Sequence, residues 1–226
     1  MSIKTIAFDL DDTLIDTTGI LIPEASLSVF NHMKMYGLSI SYSDYEHLRL
    51  KKIKEISHKD YFHYLAKNFG TDQTLNCVDK AVQLFYHPTL PKNLILLPQA
   101  HEVLKYCSEK YSLYAVTAGF FEAQIAKIKH LNIESFFKKI YVVNSLNDEK
   151  KFHAFQKIIE FENIKSQELL CVGNSLSSEI QDGKLIQAKT CYFEFGEDRG
   201  KSMHDPAYKP DYHIKNLSEF IKTCQL

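Results

Sequence analysis

The first residues whose types and spacing suit chemistry are two aspartates separated by a single leucine. Asp9 and Asp11 follow a short apolar, β-prone segment, residues 3–8. Alternation along an extended chain places both carboxylates on the same side, where they resist ionising together unless a cation such as Mg²⁺ lies between them. One carboxylate can then attack phosphorus while the other protonates the leaving oxygen. Aspartates after a strand also serve simply to cap turns, so the pair alone leaves both interpretations open.

Three further groups of polar residues begin where a later apolar run ends. They are Thr117-Ala118-Gly119, Lys150-Lys151, and the sequence from Gly173 and Asn174 to Glu179. Each group alone has an ordinary structural interpretation, as a loop threonine, a solvated lysine or a helix cap. Because ligands of an open parallel sheet bind beyond the carboxyl ends of the strands, four such groups in order predict a site for a phosphoryl group and a hard cation.

The elements that must position these residues are indicated by the hydrophobic pattern. Short apolar runs predict buried strands at residues 3–8, 112–116, 139–143, 168–172 and 190–193. Between the later runs, apolar residues such as Val103, Leu104 and Cys107 recur at helical spacing. Strands that alternate with helices predict an α/β fold with a three-layer, Rossmann-like parallel sheet.

Residues 17–96 interrupt that alternation, because they contain helical patterns and no convincing buried strand. The predicted helices cover residues 23–36, 43–54, 58–69 and 73–87. We therefore predict an all-helical domain, residues 17–96, inserted into an α/β core of residues 1–16 and 97–226. The many tyrosines of the insert are interpreted as packing residues rather than a stacking surface. Arg49 is interpreted as a surface residue, with a role as an anion-binding fork as the alternative.

Composition excludes several classes of function. The 226 residues include 27 Lys and Arg against 28 Asp and Glu, a net charge of −1, so the chain offers no basic field for nucleic acid and no polybasic membrane anchor. No apolar run approaches the roughly 18 residues of a membrane span, and the N-terminus does not resemble a signal peptide. The five cysteines form no Cys-x-x-Cys pair, and three of them, Cys107, Cys171 and Cys191, lie in apolar surroundings and are predicted to be buried free thiols, which indicates a reducing, cytoplasmic location.

The four groups together resemble the motifs of the haloacid dehalogenase superfamily. The segment from Phe8 to Leu14 is similar to the first motif, Thr117 to the second, Lys150 to the third, and Gly173-Asn174 with Glu179 to the fourth. The resemblance implies an aspartyl-phosphate on Asp9 and acid–base catalysis by Asp11. It implies phosphate binding by Thr117, Ala118, Gly119 and Lys150. It also implies Mg²⁺ held by Asp9, the Asp11 carbonyl and the fourth motif, with the helical insert as a cap that selects the substrate.

Two positions of the fourth motif depart from the family pattern. Asn174 and Glu179 stand where aspartates are usual, so the magnesium site has one charge fewer and one longer side chain. Lys151 is an alternative to Lys150 in the third motif. Lys150 is preferred because Phe155 follows it at the spacing where the family often has an aromatic residue.

The resemblance and the residues together predict a hydrolase, a phosphatase of a small phosphorylated metabolite that acts as a monomer or homodimer. Dehalogenating members resemble this chain less, because they lack the second carboxylate that Asp11 supplies. Two alternatives stay open at this stage. One is a phosphomutase of the same superfamily, and the other is a non-catalytic binding or regulatory module that kept the fold.

Overall fold

The structure, a computed structural model, describes residues 2–144 and 149–226, which form two compact units. One unit contains Met1–Thr17, Lys92–Gly196 and Lys201–Leu226, and the other contains Thr18–Pro91 with Glu197–Gly200. The second unit overlaps most of the predicted insert, residues 17–96, but its first stretch ends at Pro91 rather than at residue 96. That unit also takes in four residues from a distant part of the sequence.

The first unit is built on a parallel sheet whose described strands follow the order β3-β2-β1-β4-β5-β6. The strands are β1 (Thr5–Phe8), β2 (Ser112–Ala118), β3 (Lys139–Val143), β4 (Leu169–Gly173), β5 (Lys189–Phe193) and β6 (Tyr212–Ile214). The central strands β1 and β4 are completely buried, which explains why they appear in the sequence as continuous apolar runs. The predicted α/β fold with a Rossmann-like parallel sheet is confirmed.

The second unit contains the helices α1 (Ile22–Met35), α2 (Tyr42–Lys52), α3 (His58–Phe69), α4 (Asp72–Asn76) and α5 (Val78–Tyr86), preceded by a π-helical turn that begins at Thr17. Hydroxyl side chains cap the first turns of α2 and α3, where Ser41 and Ser57 accept backbone N–H groups. The segment predicted as one helix, residues 73–87, consists of α4 and α5, which meet at Cys77.

The helices of the α/β unit are α6 (Ala100–Ser108), α7 (Phe121–His130), α8 (Lys151–Glu162), α9 (Gln181–Leu185) and α10 (Phe220–Thr223). Alternation along β1 separates the two faces of the sheet. Ala7 packs with Phe155 and Ile158 of α8 on one face, whereas Phe8 meets the ring of Phe220 on the other, with ring centroids 5.4 Å apart. The sheet is therefore covered on both sides, and its polar loops lie at the edge where the parallel strands end.

The described helices include none that is both long and apolar enough to cross a membrane. All five cysteines are free and buried. The tyrosines of the helical unit include two, Tyr45 and Tyr61, that are completely buried, and the Tyr61 hydroxyl donates to the carbonyl oxygen of Tyr45 at 2.5 Å. These two rings pack inside the unit, as the sequence predicted.

Arg49 is a correction to the sequence analysis, because it is 5% exposed rather than a surface residue. Its guanidinium forms ion pairs with Glu46, at 3.0 Å, and with Glu197, and it lies 3.2 Å from the ring nitrogen Nε2 of His58. Glu197 is equally buried, with 3% of its side chain exposed. The partner is 148 residues away in the chain, so sequence spacing gave no sign of the pair.

We expect Arg49→Met to destabilise the helical unit by about 3 kcal/mol or more, because it leaves the carboxylate of Glu197 buried beside a neutral side chain. Thermal and urea unfolding measure the loss. Arg199→Met is the matched control, since Arg199 lies 3.4 Å from the same carboxylate but is 39% exposed. Equal unfolding midpoints for the two variants would contradict a structural role for the buried pair.

Candidate active site

Asp9 is placed at the end of β1 by pairing on both sides of the strand. Phe8 pairs with Ala115 of β2 and with Val172 of β4, and the Asp9 N–H continues the ladder by donating to the Val172 carbonyl at 2.9 Å. The Asp9 side chain is only 8% exposed. The sheet thus fixes the first carboxylate at the centre of its carboxyl edge, where an open parallel sheet binds ligands.

Lys151, rather than the predicted Lys150, contacts Asp9. The Lys151 ammonium donates to Asp9 Oδ1 at 2.5 Å and also to a carboxylate oxygen of Glu179, and its side chain is 3% exposed. Lys150 is exposed and precedes the first residue of α8. Successive residues at a helix start point about 100° apart, so one of two adjacent lysines enters the site. The assignment of Lys150 is corrected to Lys151.

The first turn of α8 is held by a further carboxylate. Asp182 of α9 is 4% exposed and accepts the N–H of Phe152 at 3.1 Å. An acceptor at a helix N-terminus satisfies an N–H that lacks a partner inside the helix. Asp182 therefore fixes the rotation of α8 that directs Lys151 inward.

Glu179 reaches Lys151 because of two features of the loop after β4. Residues Leu176–Ile180 form a π-helical turn, and Glu179 within it accepts the N–H of Ser175 at 3.0 Å. Gly173 leaves the space, since a Cβ at that position would lie 2.4 Å from Glu179 Cγ. A π-helical turn of this kind is frequent at functional sites. The glutamate thus occupies a place that the backbone is shaped to accommodate.

The electrostatics of Asp9, Lys151 and Glu179 combine two carboxylates with one ammonium. Burial raises the pKa of Asp9 to about 7 against the attraction of Lys151, and the negative charge of Glu179 adds to the rise. Burial on its own would lower the pKa of Lys151, but Asp9 and Glu179 outweigh it and raise that pKa. The lysine is therefore charged, and the cluster has an excess of negative charge.

The hydroxyl of Thr117 is available for a ligand. Thr117 is completely buried at the end of β2, and its hydroxyl has no hydrogen-bond partner among the described residues. A buried hydroxyl without a partner has lost its hydrogen bonds to water and gained none in return. A bound oxyanion would accept a hydrogen bond from it and so offset that cost. This arrangement suits the predicted contact with a phosphoryl oxygen.

The backbone groups of Ala118 and Gly119 are partly engaged by the protein itself. The Gly119 N–H donates to the Val143 carbonyl at 3.0 Å, and the Ala118 carbonyl accepts Gln124 Nε2 at 3.0 Å. The Gly119 amide therefore continues the sheet, so the prediction that it binds phosphate is corrected. The absence of a side chain at Gly119 instead leaves room for Gln124, since a Cβ at residue 119 would lie 2.8 Å from Gln124 Nε2.

Asp11 lies in a separate group of contacts. Its carboxylate accepts Lys127 Nζ at 2.6 and 2.9 Å, Gln124 Nε2 at 2.9 Å and the Thr17 hydroxyl at 2.5 Å. Burial opposes ionisation, but the charge and hydrogen bonds of Lys127 prevail and lower the pKa of Asp11. Asp9 and Asp11 thus differ in environment, with the pKa of the first raised and that of the second lowered.

Gln124 and Lys127 were not predicted from the sequence. Both belong to α7, at 3% and 4% exposure, and they are three residues apart on one face of that helix. The signal that identifies them is a glutamine and a lysine on the inward face of the helix that directly follows Thr117-Ala118-Gly119.

Oxygen ligands for a cation are present next to Asp9. Glu179 shares Lys151 with Asp9. The side-chain oxygen of Asn174, in the loop after β4, is a further candidate donor, and the amide nitrogen Nδ2 of that residue donates to the Phe195 carbonyl at 3.1 Å. Among the described residues, no three Asp, Glu, His or Cys side chains converge as a closed metal site. Mg²⁺ usually takes one or two carboxylates and keeps several waters. The donor chemistry and the excess negative charge therefore fit Mg²⁺ rather than a metal that needs a full set of protein ligands.

Comparisons with known proteins identify the family of the chain. The family model of haloacid dehalogenase-like hydrolases matches residues 6–193. Glyceraldehyde 3-phosphate phosphatase of Pyrococcus abyssi is 32% identical over 200 residues, 86% of this chain and 83% of that protein. The protein of the same name from Pyrococcus furiosus is 28% identical over 99% of this chain and 93% of its own length. A crystal structure of the HAD-hydrolase YfnB from Bacillus subtilis, bound to magnesium, covers both chains fully with a TM-score of 0.74 and 19% identity.

Proposed function

We propose that this chain transfers the phosphoryl group of a small metabolite to Asp9 and then to water. The proposal rests on the family of the chain, which belongs to the haloacid dehalogenase-like hydrolases and is a hydrolase of phosphate esters. The observation that carries the proposal is the buried contact between Asp9 and Lys151 at 2.5 Å. A carboxylate fixed by the sheet at the ligand-binding edge, with a cation against it, supports the proposal that Asp9 is the nucleophile.

In the first step, an Asp9 oxygen forms a bond to phosphorus while the bond from phosphorus to the leaving oxygen breaks. The leaving oxygen takes a proton from Asp11, which must therefore be protonated at this step although Lys127 lowers its pKa. Lys151 stabilises the negative charge that Asp9 and the phosphoryl group bring together, and the unpartnered hydroxyl of Thr117 donates to a phosphoryl oxygen. In the second step, water attacks phosphorus, Asp11 takes its proton, and the bond between phosphorus and Asp9 breaks.

Asp9, Glu179, the amide oxygen of Asn174 and the Asp11 backbone carbonyl are the groups that would hold Mg²⁺. When bound, the ion supplies positive charge that neutralises the phosphoryl oxygens. The raised pKa of Asp9 supports this assignment, since a buried carboxylate that resists ionisation gains from a nearby cation. Asn174 in place of a carboxylate leaves the site with one negative charge fewer.

The proposed substrate is a small phosphorylated metabolite, and a triose phosphate is the first compound to test. The reason is the name of the two Pyrococcus relatives, the nearer of which is 32% identical over 86% of this chain. A cap role for the helical unit, a cytoplasmic location and a monomer or homodimer complete the proposal. A phosphomutase differs in that the phosphoryl group returns to the sugar rather than to water.

The test is phosphate release from a panel of phosphorylated trioses, hexoses, nucleosides and hydroxy acids, with Mg²⁺ or with EDTA. We expect one class to be hydrolysed at least roughly tenfold better than the others in kcat/KM, and EDTA to remove the activity. Product analysis separates the two enzymes, since a mutase yields an isomeric phosphate without free phosphate. Turnover that is unaffected by EDTA, or inactivity on the whole panel, would contradict the proposal.

A further inference from the structure

The carboxylate of Asp11 is held by two side chains of α7 and by the hydroxyl of Thr17, which donates to Oδ1 at 2.5 Å. Lys127 Nζ contacts both carboxylate oxygens, Oδ1 at 2.6 Å and Oδ2 at 2.9 Å, and Gln124 Nε2 contacts Oδ2 at 2.9 Å. A cation that bridges both oxygens, with an amide on one of them, restricts rotation of the carboxylate about its bond to Cβ. The orientation of Asp11 is therefore determined by α7 as well as by its own strand end.

Both side chains of α7 are themselves fixed. Gln124 donates a second hydrogen bond to the Ala118 carbonyl at 3.0 Å, which anchors it to the end of β2. Gly119 is what admits it, because any Cβ at residue 119 would lie 2.8 Å from the glutamine nitrogen. Lys127 is 4% exposed, so its ammonium has exchanged its water shell for the contact with Asp11.

A buried lysine is costly unless its charge is compensated, and Asp11 is the partner that the described contacts of Lys127 supply. An ordinary packing role in α7 would be filled equally well by an apolar side chain such as Met, which has a similar length. The presence of an ammonium there, aimed at the one carboxylate to which proton transfer is assigned, indicates a role in that transfer.

We propose that Lys127 and Gln124 are positioning residues that act through Asp11, holding its carboxylate in place for the two proton transfers of phosphoryl transfer. The inference rests on the proposed function, because it takes Asp11 as the group that protonates the leaving oxygen. Neither Lys127 nor Gln124 contacts the substrate in the proposed mechanism. Their effect on the rate passes entirely through the second aspartate.

Comparing two substrates separates a role in proton transfer from a merely structural role, because a structural role would lower kcat/KM equally on both. The leaving group of glycerol phosphate is an alkoxide that needs a proton, whereas that of para-nitrophenyl phosphate departs readily without one. Loss of an acid catalyst costs about 100-fold or more where the proton is needed. We expect Lys127→Met to lower kcat/KM roughly 100-fold on the alkyl phosphate and less than about fivefold on the aryl phosphate.

A double-mutant cycle tests whether the effect passes through Asp11. If Lys127 acts only by positioning that carboxylate, adding Lys127→Met to Asp11→Asn should change kcat/KM by less than about twofold. Lys127→Arg should recover part of the activity, since a guanidinium also bridges two carboxylate oxygens. Lys129→Met is the matched control on the exposed face of the same helix and should match the wild-type protein.

Equal losses on both substrates, or losses that multiply in the double variant, would overturn the inference while leaving the phosphatase proposal intact. A crystal structure of Lys127→Met provides a readout independent of activity, and an Asp11 carboxylate unmoved in it would also overturn the inference. If Lys127→Met fails to fold, Gln124→Met enters the same cycle. Failure of the proposed function is recognised separately, by activity that survives Asp9→Asn.

Discussion

Replacement of Asp9 by Asn should reduce kcat/KM by roughly 10,000-fold or more, the largest effect that we expect from any single change in this chain. The amide cannot form the acyl phosphate, because it lacks the negatively charged carboxylate oxygen that attacks phosphorus. It also leaves Lys151 with one carboxylate partner instead of two. The measurement is phosphate release from the best substrate of the panel, with Asp205→Asn as the control at an exposed aspartate.

The stability of Asp9→Asn shows whether the loss is chemical. Since burial raises the folded-state pKa of Asp9 from 3.8 to about 7, the folded protein favours the protonated carboxyl. The stability that this group contributes is therefore present at low pH and is lost as the pH rises from about 4 through 7. The neutral amide avoids that loss. In EDTA at pH 8, we expect the variant to unfold at a temperature no lower than that of the wild type, so an unfolded variant would contradict the assigned environment.

Replacement of Lys151 by Met should lower kcat roughly 1,000-fold, whereas Lys150→Met should change it by less than about twofold. The two residues are adjacent and have the same side chain, so each is the matched control for the other. The difference arises because Lys151 is 3% exposed and contacts Asp9, whereas Lys150 is exposed. Steady-state kinetics with the preferred substrate measures the effect, and the reverse ranking of the two variants would restore the assignment made from the sequence.

Lys151→Met also leaves Asp9 and Glu179 buried with no cation between them, which costs several kcal/mol of stability. A second variant separates this effect from catalysis. Lys151→Met combined with Glu179→Gln removes one charge of each sign, and we expect it to recover thermal stability without recovering activity. Recovery of both would mean that Lys151 serves the fold rather than the reaction.

The sequence was sufficient for the features that depend on local pattern. Buried parallel strands appear as continuous apolar runs, so β1 to β5 were found within a few residues of their observed bounds. The helical insert was predicted from the absence of such runs. The division of residues 73–87 at Cys77 was missed, because the apolar spacing continues from Leu75 to Val78 across the junction between α4 and α5.

The features that were missed depend on contacts between distant parts of the chain. Arg49 meets Glu197, Lys151 meets Asp9, and Lys127 meets Asp11 across 148, 142 and 116 residues. Nothing in the local sequence separates Lys150 from Lys151, since only the rotation of α8 decides which side chain points inward. The motifs therefore named candidate residues at the strand ends, and the partners of the aspartates required the three-dimensional structure.

The four residues Glu197–Gly200 that belong to the helical unit limit how that unit can be exchanged between proteins. A continuous piece of gene for residues 18–91 would transplant Arg49 with Glu46 but without Glu197, so the graft would lack one of the two carboxylates that pair with the buried guanidinium. Recombination between relatives thus has to transfer the turn after β5 together with the insert. The helical unit is encoded in two separate stretches of sequence, and a chimaera that contains only the longer one should express poorly.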